Sequence, residues 1–319
     1  MTTDATAVDT ASHVHTISRH LAHRCAVAEV FVTSLQRVGT DDFVVGAQLP
    51  RMHAFYGDHR PPWDAEHDPM LVMEAARQAA IALTHEYLGV PQDFGFIVRT
   101  FNGAVAAGDG WRIGSAPADL VMSVQISRRH RRGEVLHGVD MVLEIECGDE
   151  PLMIVDGSFT WVPPARWTAM RAGFRDSMGL GEIGDPMPVG ERAEPPAVGR
   201  GDRRNVVVGP VRIAEAELTA DLVIDTGHPI LFDHPVDHVP GSLLLEAARQ
   251  TATAISPAPP RRLIGVSSSF ERFVELDRRT EGVARISNSV PGQIDCEIVQ
   301  CGAVAARIGL RYETDEAEC

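Results

Sequence analysis

The sequence predicts an α+β protein built from two similar halves, each with one long buried helix surrounded by β-strands. The pentapeptide Glu-Ala-Ala-Arg-Gln occurs at Glu74–Gln78 and again, 172 residues later, at Glu246–Gln250. Each copy lies in an apolar run long enough for a helix, and strand-like runs flank both copies. A helix that is apolar on nearly all sides has to be covered by a sheet, which is the α+β arrangement.

Strand-like runs occur in the same order in both halves, with two runs before the helix and four after it. They are rich in β-branched and aromatic residues and are bounded by Gly, Pro and Asp. The first half has Val27–Val38, Phe43–Leu49, Phe94–Ala107, Leu120–Ile126, Val135–Cys147 and Leu152–Val162. The second half has Asn205–Ile213, Glu215–Ile224, Arg262–Val274, Gly282–Ser289, Asp295–Gln300 and Ala303–Tyr312.

Capping residues predict where both helices begin and end. Asp68 is suited to be the N-cap of the first helix, with Pro69 at its first position and Gly89 after its last turn. The second helix is expected to begin near Pro240-Gly241-Ser242 and to end before Ser256-Pro257.

A segment rich in Pro, Gly and Arg separates the two halves. Its composition from Pro163 to Arg204 predicts a linker that contains one short helix around Trp167–Met178. We therefore expect an N-terminal domain over residues 20–163, a linker over 164–204 and a C-terminal domain over 205–319.

Composition excludes several classes of protein. The 44% content of hydrophobic residues is too high for a disordered chain, and no apolar run is long enough to span a bilayer. The formal charge of −15 disfavours binding to nucleic acid or to anionic membranes. Residues 1–16 lack the pattern of a signal peptide, and the five cysteines form no CxxC pair, so we expect a reducing, cytoplasmic location.

All 29 basic residues are arginines, and the chain contains no lysine. This excludes Schiff-base catalysis, pyridoxal phosphate enzymes and the phosphate-binding GxxxxGK[ST] loop, each of which requires a lysine. Gly103–Gly110 contains no GxGxxG motif, and the cysteines lack activating neighbours. The histidines near Asp58 and Asp237 are better explained by carboxylate hydrogen bonds than by a metal, so we predict no metal or other cofactor.

Charged residues occur in the middle of both predicted buried helices. Glu74 and Arg77 are three residues apart and share one helix face, and the second copy repeats the pair as Glu246 and Arg249. Buried charges must meet each other or a ligand. The pairs are therefore either an ion-pair cluster that locks the halves together or an active site. In an active site, burial would raise the pKa of the glutamate and make it a base, while the arginine would bind an anion.

Two segments rich in His, Asp and Pro favour the active-site interpretation. Arg51–His59 precedes the first helix, and Phe232–His238 precedes the second. The candidate catalytic bases are Glu74 and Glu246. The candidate substrate- or phosphate-binding residues are Arg77, Arg249, Arg51, His53, His234 and His238.

At these residues the sequence resembles known enzymes. Asp237–Ala247 resembles the segment leading into the central helix of hotdog-fold β-hydroxyacyl carrier-protein dehydratases, which has a Pro-Gly before an apolar run and a catalytic Glu. Two such halves, with Pro50-Arg51-Met52-His53 upstream of the first, resemble the AfsA family of γ-butyrolactone synthases. The resemblance covers most of both halves but not the linker.

The resemblance to the AfsA family implies a double hotdog fold, in which two antiparallel sheets lie side by side and each wraps round its own helix. It implies an acyltransferase that joins a β-ketoacyl group from an acyl carrier protein to the hydroxyl of dihydroxyacetone phosphate. The ester can cyclise to a butenolide, the precursor of γ-butyrolactone or furan signalling molecules. In this family pattern Glu74, Arg77, Glu246 and Arg249 match the functional motif.

Two other functions stay open on the sequence alone. A hotdog thioesterase or dehydratase is the first, but Phe232 stands where the dehydratases carry their catalytic His, eight residues before the Pro of Pro-Gly. The second is a non-catalytic protein that binds acyl-derived hormones, although no DNA-binding helix pair is apparent.

Arg128, Arg129, Arg131 and Arg132 form the densest basic patch in this acidic chain. Such a patch is ordinarily a solvated hairpin, and the functional hypothesis is that it docks an acidic acyl carrier protein. The segments before the two glutamates differ by one residue, counted from His67 to Glu74 and from His238 to Glu246. We therefore expect one composite site in a monomeric double hotdog or a homodimer.

Overall fold

The structure of the protein, a computed structural model, describes residues 11–59, 66–214, 217–256 and 262–314. The first half contains β1 (Val32–Arg37), β2 (Asp42–Leu49), α1 (Pro69–Leu88), β3 (Gly95–Val105), β4 (Ala118–Arg132), β5 (Val135–Cys147) and β6 (Glu150–Val162), followed by α2 (Pro164–Ser177). The second half contains β7 (Arg212–Ala214), β8 (Glu217–Asp221), α3 (Gly241–Ile255), β9 (Leu263–Phe270), β10 (Thr280–Ile286), β11 (Gln293–Gln300) and β12 (Ala303–Tyr312). The predicted α+β class and the repeated element order are confirmed.

The twelve strands form one antiparallel sheet in the order β1-β2-β4-β5-β6-β3-β9-β12-β11-β10-β8-β7. Each half contributes six strands. Read inward from the outer edge of the sheet, β1-β2-β4-β5-β6-β3 in the first half corresponds to β7-β8-β10-β11-β12-β9 in the second. The halves meet where β3 pairs with β9, with Thr100 opposite Ser269 and Gly103 opposite Val266. The expected double hotdog is therefore present, but its two sheets are joined edge to edge into one because β3 and β9 pair across the middle.

Each half of the sheet wraps one central helix. α1 packs against β1, β2 and β6, and α3 packs against β8, β10, β11 and β12. The capping prediction is confirmed, since the Asp68 carboxylate accepts a hydrogen bond from the Met70 N–H at 2.9 Å and Gly89 ends α1 with φ of 69°. Among the described helices, none has the length and apolarity to cross a membrane.

The predicted strand Asn205–Ile213 is largely wrong. Residues 203–205 form a short 3-10 helix, and only Arg212–Ala214 is a strand. The Val207 N–H donates instead to the Gln250 side chain on α3, at 2.9 Å, so the helix takes the hydrogen bond that a neighbouring strand would make. Two parts of the predictions lie outside the described residues: the first two residues of the predicted strand Glu215–Ile224, and Pro257 after the second helix.

The connecting segment is held against the second half by buried charges. On α2, Arg171 donates to Glu275 at 2.7 and 2.9 Å, and Arg175 donates to the same carboxylate at 2.5 Å. Arg175 also binds Asp277 at 2.8 Å. Glu275 is fully buried, and 2% or less of either arginine is exposed. The helix is therefore fixed in place, and this position matters because α2 contributes to the cavity described below.

We predict that Glu275→Ala destabilises the protein strongly. Removing one carboxylate leaves two buried guanidinium groups without their main partner, and breaking such a cluster costs about 3–5 kcal/mol. Urea unfolding followed by circular dichroism measures the loss. The control is Glu281→Ala, which removes partly exposed ion pairs with Arg212 and Arg279 and should cost about 1 kcal/mol or less. Equal losses for both variants would contradict the prediction.

Candidate active site

Glu74 lies at the centre of a buried hydrogen-bond cluster on α1. Its Oε2 accepts from Arg77 Nε at 2.8 Å, and its Oε1 accepts from Arg77 Nη2 at 2.9 Å. Gln78 donates to Oε1 at 2.8 Å, and Arg24, which precedes β1, forms an ion pair with the same oxygen. Only 4% of Glu74 is exposed, so these donors replace water around the carboxylate.

Glu246 has the same surroundings on α3. Arg249 donates to Oε2 through Nε at 2.9 Å and Nη2 at 2.5 Å, and Gln250 donates to Oε1 at 2.6 Å. Arg200 takes the place of Arg24 and donates to Oε1 at 2.9 Å. The repeated Glu-Ala-Ala-Arg-Gln motif thus encodes a glutamate with its arginine and glutamine partners, and a second arginine arrives from a distant segment.

The expected rise in the pKa of these glutamates is wrong. Burial alone would raise the pKa of Glu74, but Arg24 and Arg77 outweigh it and lower this pKa to about 2. Burial would also raise the pKa of Glu246, but Arg200 and Arg249 outweigh it and lower this pKa. A carboxyl group gains a raised pKa in an apolar pocket, whereas these two are surrounded by cationic donors. Both are therefore held ionised.

Two loops that precede the helices have the same sequence pattern. The motif His-x4-Asp-His occurs at residues 53–59 and at 228–234, 175 residues apart. In each copy the first His accepts, through Nδ1, hydrogen bonds from the N–H groups two and three residues further on. His53 is therefore buried in its own loop, where its Nε2 lies 3.2 Å from Glu29, and it does not line the cavity.

The aspartates of this motif connect the halves reciprocally. Asp58, in the first half, accepts hydrogen bonds from the N–H groups of residues 201 and 202, at the end of the predicted linker that leads into the second half. Asp233, in the second half, accepts from those of residues 25 and 26 in the first. Each loop thus fixes the segment that supplies the distant arginine, Arg24 or Arg200, to the glutamate. The expectation of one composite site stays a prediction.

A cavity of about 860 Å³ lies on one side of the molecule, at the Glu74 cluster. Its polar end includes His23, Arg24, Glu74 and Arg77 from the first half. The second half adds the segment 233–246, which carries His234, His238 and Glu246. Its apolar wall is formed by residues of the sheet and of α2, among them Phe101, Met141, Leu143, Phe159, Met170 and Phe174.

The two clusters differ in what faces the arginine of the motif. Arg249 donates to both oxygens of Asp68 at 2.7 and 2.8 Å, and His59 lies 2.8 Å from the same carboxylate. Asp68 is the N-cap of α1, but the N-cap of α3 is Pro240, which has no carboxylate. At the corresponding N-cap of the second half, Pro240 supplies no carboxylate to Arg77. Arg77 Nη1 has no hydrogen-bond partner among the described residues, and Arg77 and His234 both line the cavity.

The other predicted site residues lie in different places. Arg51 is exposed, donates to the Gly114 carbonyl at 2.9 Å and does not line the cavity, so its assignment to substrate binding is wrong. His238 lines the cavity and pairs with Asp237 at 2.7 Å. Its ring also contacts Trp167. Within the described ranges, no group of three or more His, Cys, Asp and Glu residues is arranged to hold a metal ion.

The basic patch lies at the turn between β4 and β5, away from the residues that line the cavity. Arg128, Arg131 and Arg132 are exposed, whereas Arg129 is partly buried and forms an ion pair with Asp41.

Sequence reasoning missed Arg24, Arg200 and the pairing of Asp68 with Arg249. The His-x4-Asp-His repeat was a usable signal, because its offset of 175 aligns His59 with His234 and leads to the reciprocal loops. Arg24 and Arg200 lie about 50 residues before their glutamates with no shared motif, and Arg200 falls within the predicted linker.

Comparison with known proteins decides the family. The sequence profile described as the A-factor biosynthesis hotdog domain, AfsA, matches residues 5–163 and 184–312. The chain belongs to the AfsA family. Curated relatives named 2-oxo-3-(phosphooxy)propyl 3-oxoalkanoate synthase include one from Streptomyces virginiae, 35% identical over 82% of this chain and 85% of the relative. Another, from Streptomyces coelicolor, is 33% identical over 81% of this chain and 78% of the relative.

Solved structures agree with the fold of this AfsA protein. The 12:0-ACP thioesterase from Umbellularia californica superposes with a TM-score of 0.52 at 12% identity, covering 85% of this chain and 97% of that one. The dehydratase domain from the CurF module of curacin polyketide synthase has a TM-score of 0.51 at 10% identity, covering 89% and 97%. At this identity the likeness concerns the double hotdog fold alone.

We predict that the equivalent arginines have different effects on stability. Arg249→Met leaves Asp68 and Glu246 buried with fewer partners and should lower the free energy of unfolding by about 3 kcal/mol or more. Arg77→Met should cost about 1 kcal/mol, because the Arg77 side chain is 28% exposed and Glu74 retains Arg24. Urea unfolding of both variants measures the difference. A larger loss for Arg77→Met would contradict the assignment of the second cluster as closed.

Proposed function

We propose that this protein transfers a 3-oxoacyl group to the hydroxyl of dihydroxyacetone phosphate, in the biosynthesis of A-factor-type signalling molecules. This is the activity in the names of its Streptomyces relatives. The reaction needs an acceptor site for a phosphate ester, space for an acyl chain and a group that moves a proton. The first two requirements have counterparts in the cavity.

The observation that carries the proposal is the difference between the two clusters. In the second cluster Arg249 and His59 hold the carboxylate of Asp68 between them. In the first cluster the equivalent residues, Arg77 and His234, face the cavity without such a carboxylate. The phosphate of the acceptor would therefore bind there, because bidentate arginine geometry suits a phosphate as well as it suits a carboxylate. Arg24 adds a second cationic side chain, 8% exposed, whose buried Nε has no hydrogen-bond partner among the residues that the structure describes.

The 3-oxoacyl chain would lie along the apolar wall of the same cavity. A volume of about 860 Å³ accommodates an acyl chain together with a small phosphate ester. The central helices contribute Leu245 from α3 and Met73 and Ala76 from α1 to this wall. Leu71 and Ala75 are turned into the core and are at most 2% exposed.

In this proposal Glu74 orients the arginines, and Glu246 serves the scaffold. Glu74 holds Arg77 by two hydrogen bonds and Arg24 by an ion pair, which fixes both guanidinium groups at the cavity wall. Glu246 has the same role towards Arg249, but there the anion is supplied by the protein itself. The composite working site is therefore the Glu74 cluster.

We predict that Arg77→Met loses activity whereas Arg249→Met keeps it. The assay measures ester formation from a 3-oxoacyl thioester and dihydroxyacetone phosphate, at a temperature where both variants are folded. Loss of the phosphate contact should lower kcat/KM for the acceptor about 100-fold, which corresponds to about 2.7 kcal/mol. Similar activities for both variants would contradict the assignment. Hydrolysis that does not depend on the acceptor would instead support a thioesterase, and binding without turnover a hormone-binding protein.

The acyl donor in the proposal is an acyl carrier protein, which is acidic and would dock on the basic patch at the β4–β5 turn. We predict that Arg131→Glu combined with Arg132→Glu raises KM for the carrier-bound substrate about tenfold at low salt and less at high salt, because the attraction is electrostatic. A short pantetheine thioester should react as in the wild type. Arg311→Glu, at an exposed position on β12 of the second half, is the control. Equal effects on both substrates would contradict docking at the basic patch.

The cytoplasmic location of the protein stays a prediction.

A further inference from the structure

His23 is a cavity residue that neither the sequence motifs nor the proposed phosphate site accounts for. It precedes Arg24 in the segment before β1 and lines the cavity together with Arg77 and His234. Its φ of 51° lies in the left-handed region, which a residue other than glycine rarely adopts. Its ring contacts those of His85 and Phe96, with centroids 4.8 and 5.3 Å away. An uncommon backbone conformation thus holds an imidazole at the polar end of the cavity.

Hydrogen bonds determine which nitrogen of His23 carries its proton. The Nδ1 of His85 lies 2.7 Å from the carbonyl oxygen of Val90, which can only accept, so this Nδ1 is protonated. In the neutral ring the Nε2 of His85 is then an acceptor, and it lies 2.7 Å from the Nε2 of His23. His23 therefore donates through Nε2, and its Nδ1 keeps a lone pair. No described residue donates a hydrogen bond to that Nδ1.

The surroundings keep His23 neutral. Burial lowers its pKa to about 3, and the neighbouring His85, Arg77 and His234 contribute to the shift. A doubly charged phosphate placed between Arg77 and His234 would offset the positive charges near the ring. The affinity of Nδ1 for a proton would then rise only when the phosphate-bearing acceptor is bound. Glu74 cannot take this role, because its oxygens are already occupied by Arg24, Arg77 and Gln78.

We propose that His23 is the general base and acid of the acyl transfer, with His85 as the positioning residue that fixes its tautomer. This inference rests on the proposed function. Nδ1 of His23 removes the proton from the acceptor hydroxyl as that oxygen forms a bond to the thioester carbonyl carbon. The tetrahedral intermediate then collapses and the carbon–sulfur bond breaks. The thiolate takes the proton from Nδ1, so the products are the ester and the free thiol, and His23 returns to its neutral form.

The test uses His23→Gly, because glycine tolerates the observed φ and the variant leaves a space for free imidazole. With a 3-oxoacyl pantetheine thioester and dihydroxyacetone phosphate, kcat should fall about 100-fold while KM for the acceptor changes little. Added imidazole should restore part of the turnover, which a merely structural role would not allow. His20→Gln, an exposed histidine in the same segment, should keep the wild-type rate.

The variant His85→Gln distinguishes a role of His85 in orienting His23 from a role in the stability of the fold. It should lower kcat about tenfold and shift the midpoint of the pH–rate profile, because His23 loses the acceptor that orients its proton. Urea unfolding and inorganic phosphate binding, measured by calorimetry, check that each variant retains its fold and anion site. If the wild type forms ester and folded His23→Gly keeps its rate within threefold, or gains nothing from imidazole, the inference is wrong. If the wild type forms no ester, the proposed function fails instead.

Discussion

The structure depends on the need to neutralise one buried glutamate in each central helix. Glu74 and Glu246 are at most 4% exposed, and each is surrounded by two arginines and a glutamine. An isolated buried carboxylate would be costly, so the loops that deliver Arg24 and Arg200 must be held in place. Asp58 and Asp233 do this across the halves. Neutralising the glutamate on each helix thus depends on hydrogen bonds that connect the two halves of the molecule.

Duplication allows the two copies to differ in one consequential respect. In the second copy the protein supplies its own anion, Asp68, between Arg249 and His59, and the cluster becomes part of the scaffold. At the first cluster Pro240, from the second half, stands at the equivalent cap, and Arg77 and His234 line the cavity. The closed and the open cluster thus differ at a helix N-cap, which is Asp68 in one case and Pro240 in the other.

In our proposals the open cluster separates the binding of charge from the transfer of protons. The arginines of this cluster, together with Gln78, already bind the Glu74 carboxylate. An imidazole beside the same arginines is neutral and, through the His85 hydrogen bond, presents a lone pair. In our proposals the substrate phosphate links the two functions, because it both binds to Arg77 and offsets the charge near His23.

The sequence by itself determined the duplicated α+β fold, the helix caps and the family, since periodicity, capping residues and the repeated pentapeptide are local properties. It also made Glu74 and Arg77 candidate site residues, because buried charges at helical spacing need partners or a ligand, and the segment Phe232–His238 added His234. Only the tertiary structure decided that Asp68 closes one cluster, that Arg24 and Arg200 complete both, and that His23 faces the cavity. These depend on contacts between residues about 50 to 180 positions apart, and no local pattern encodes such distances.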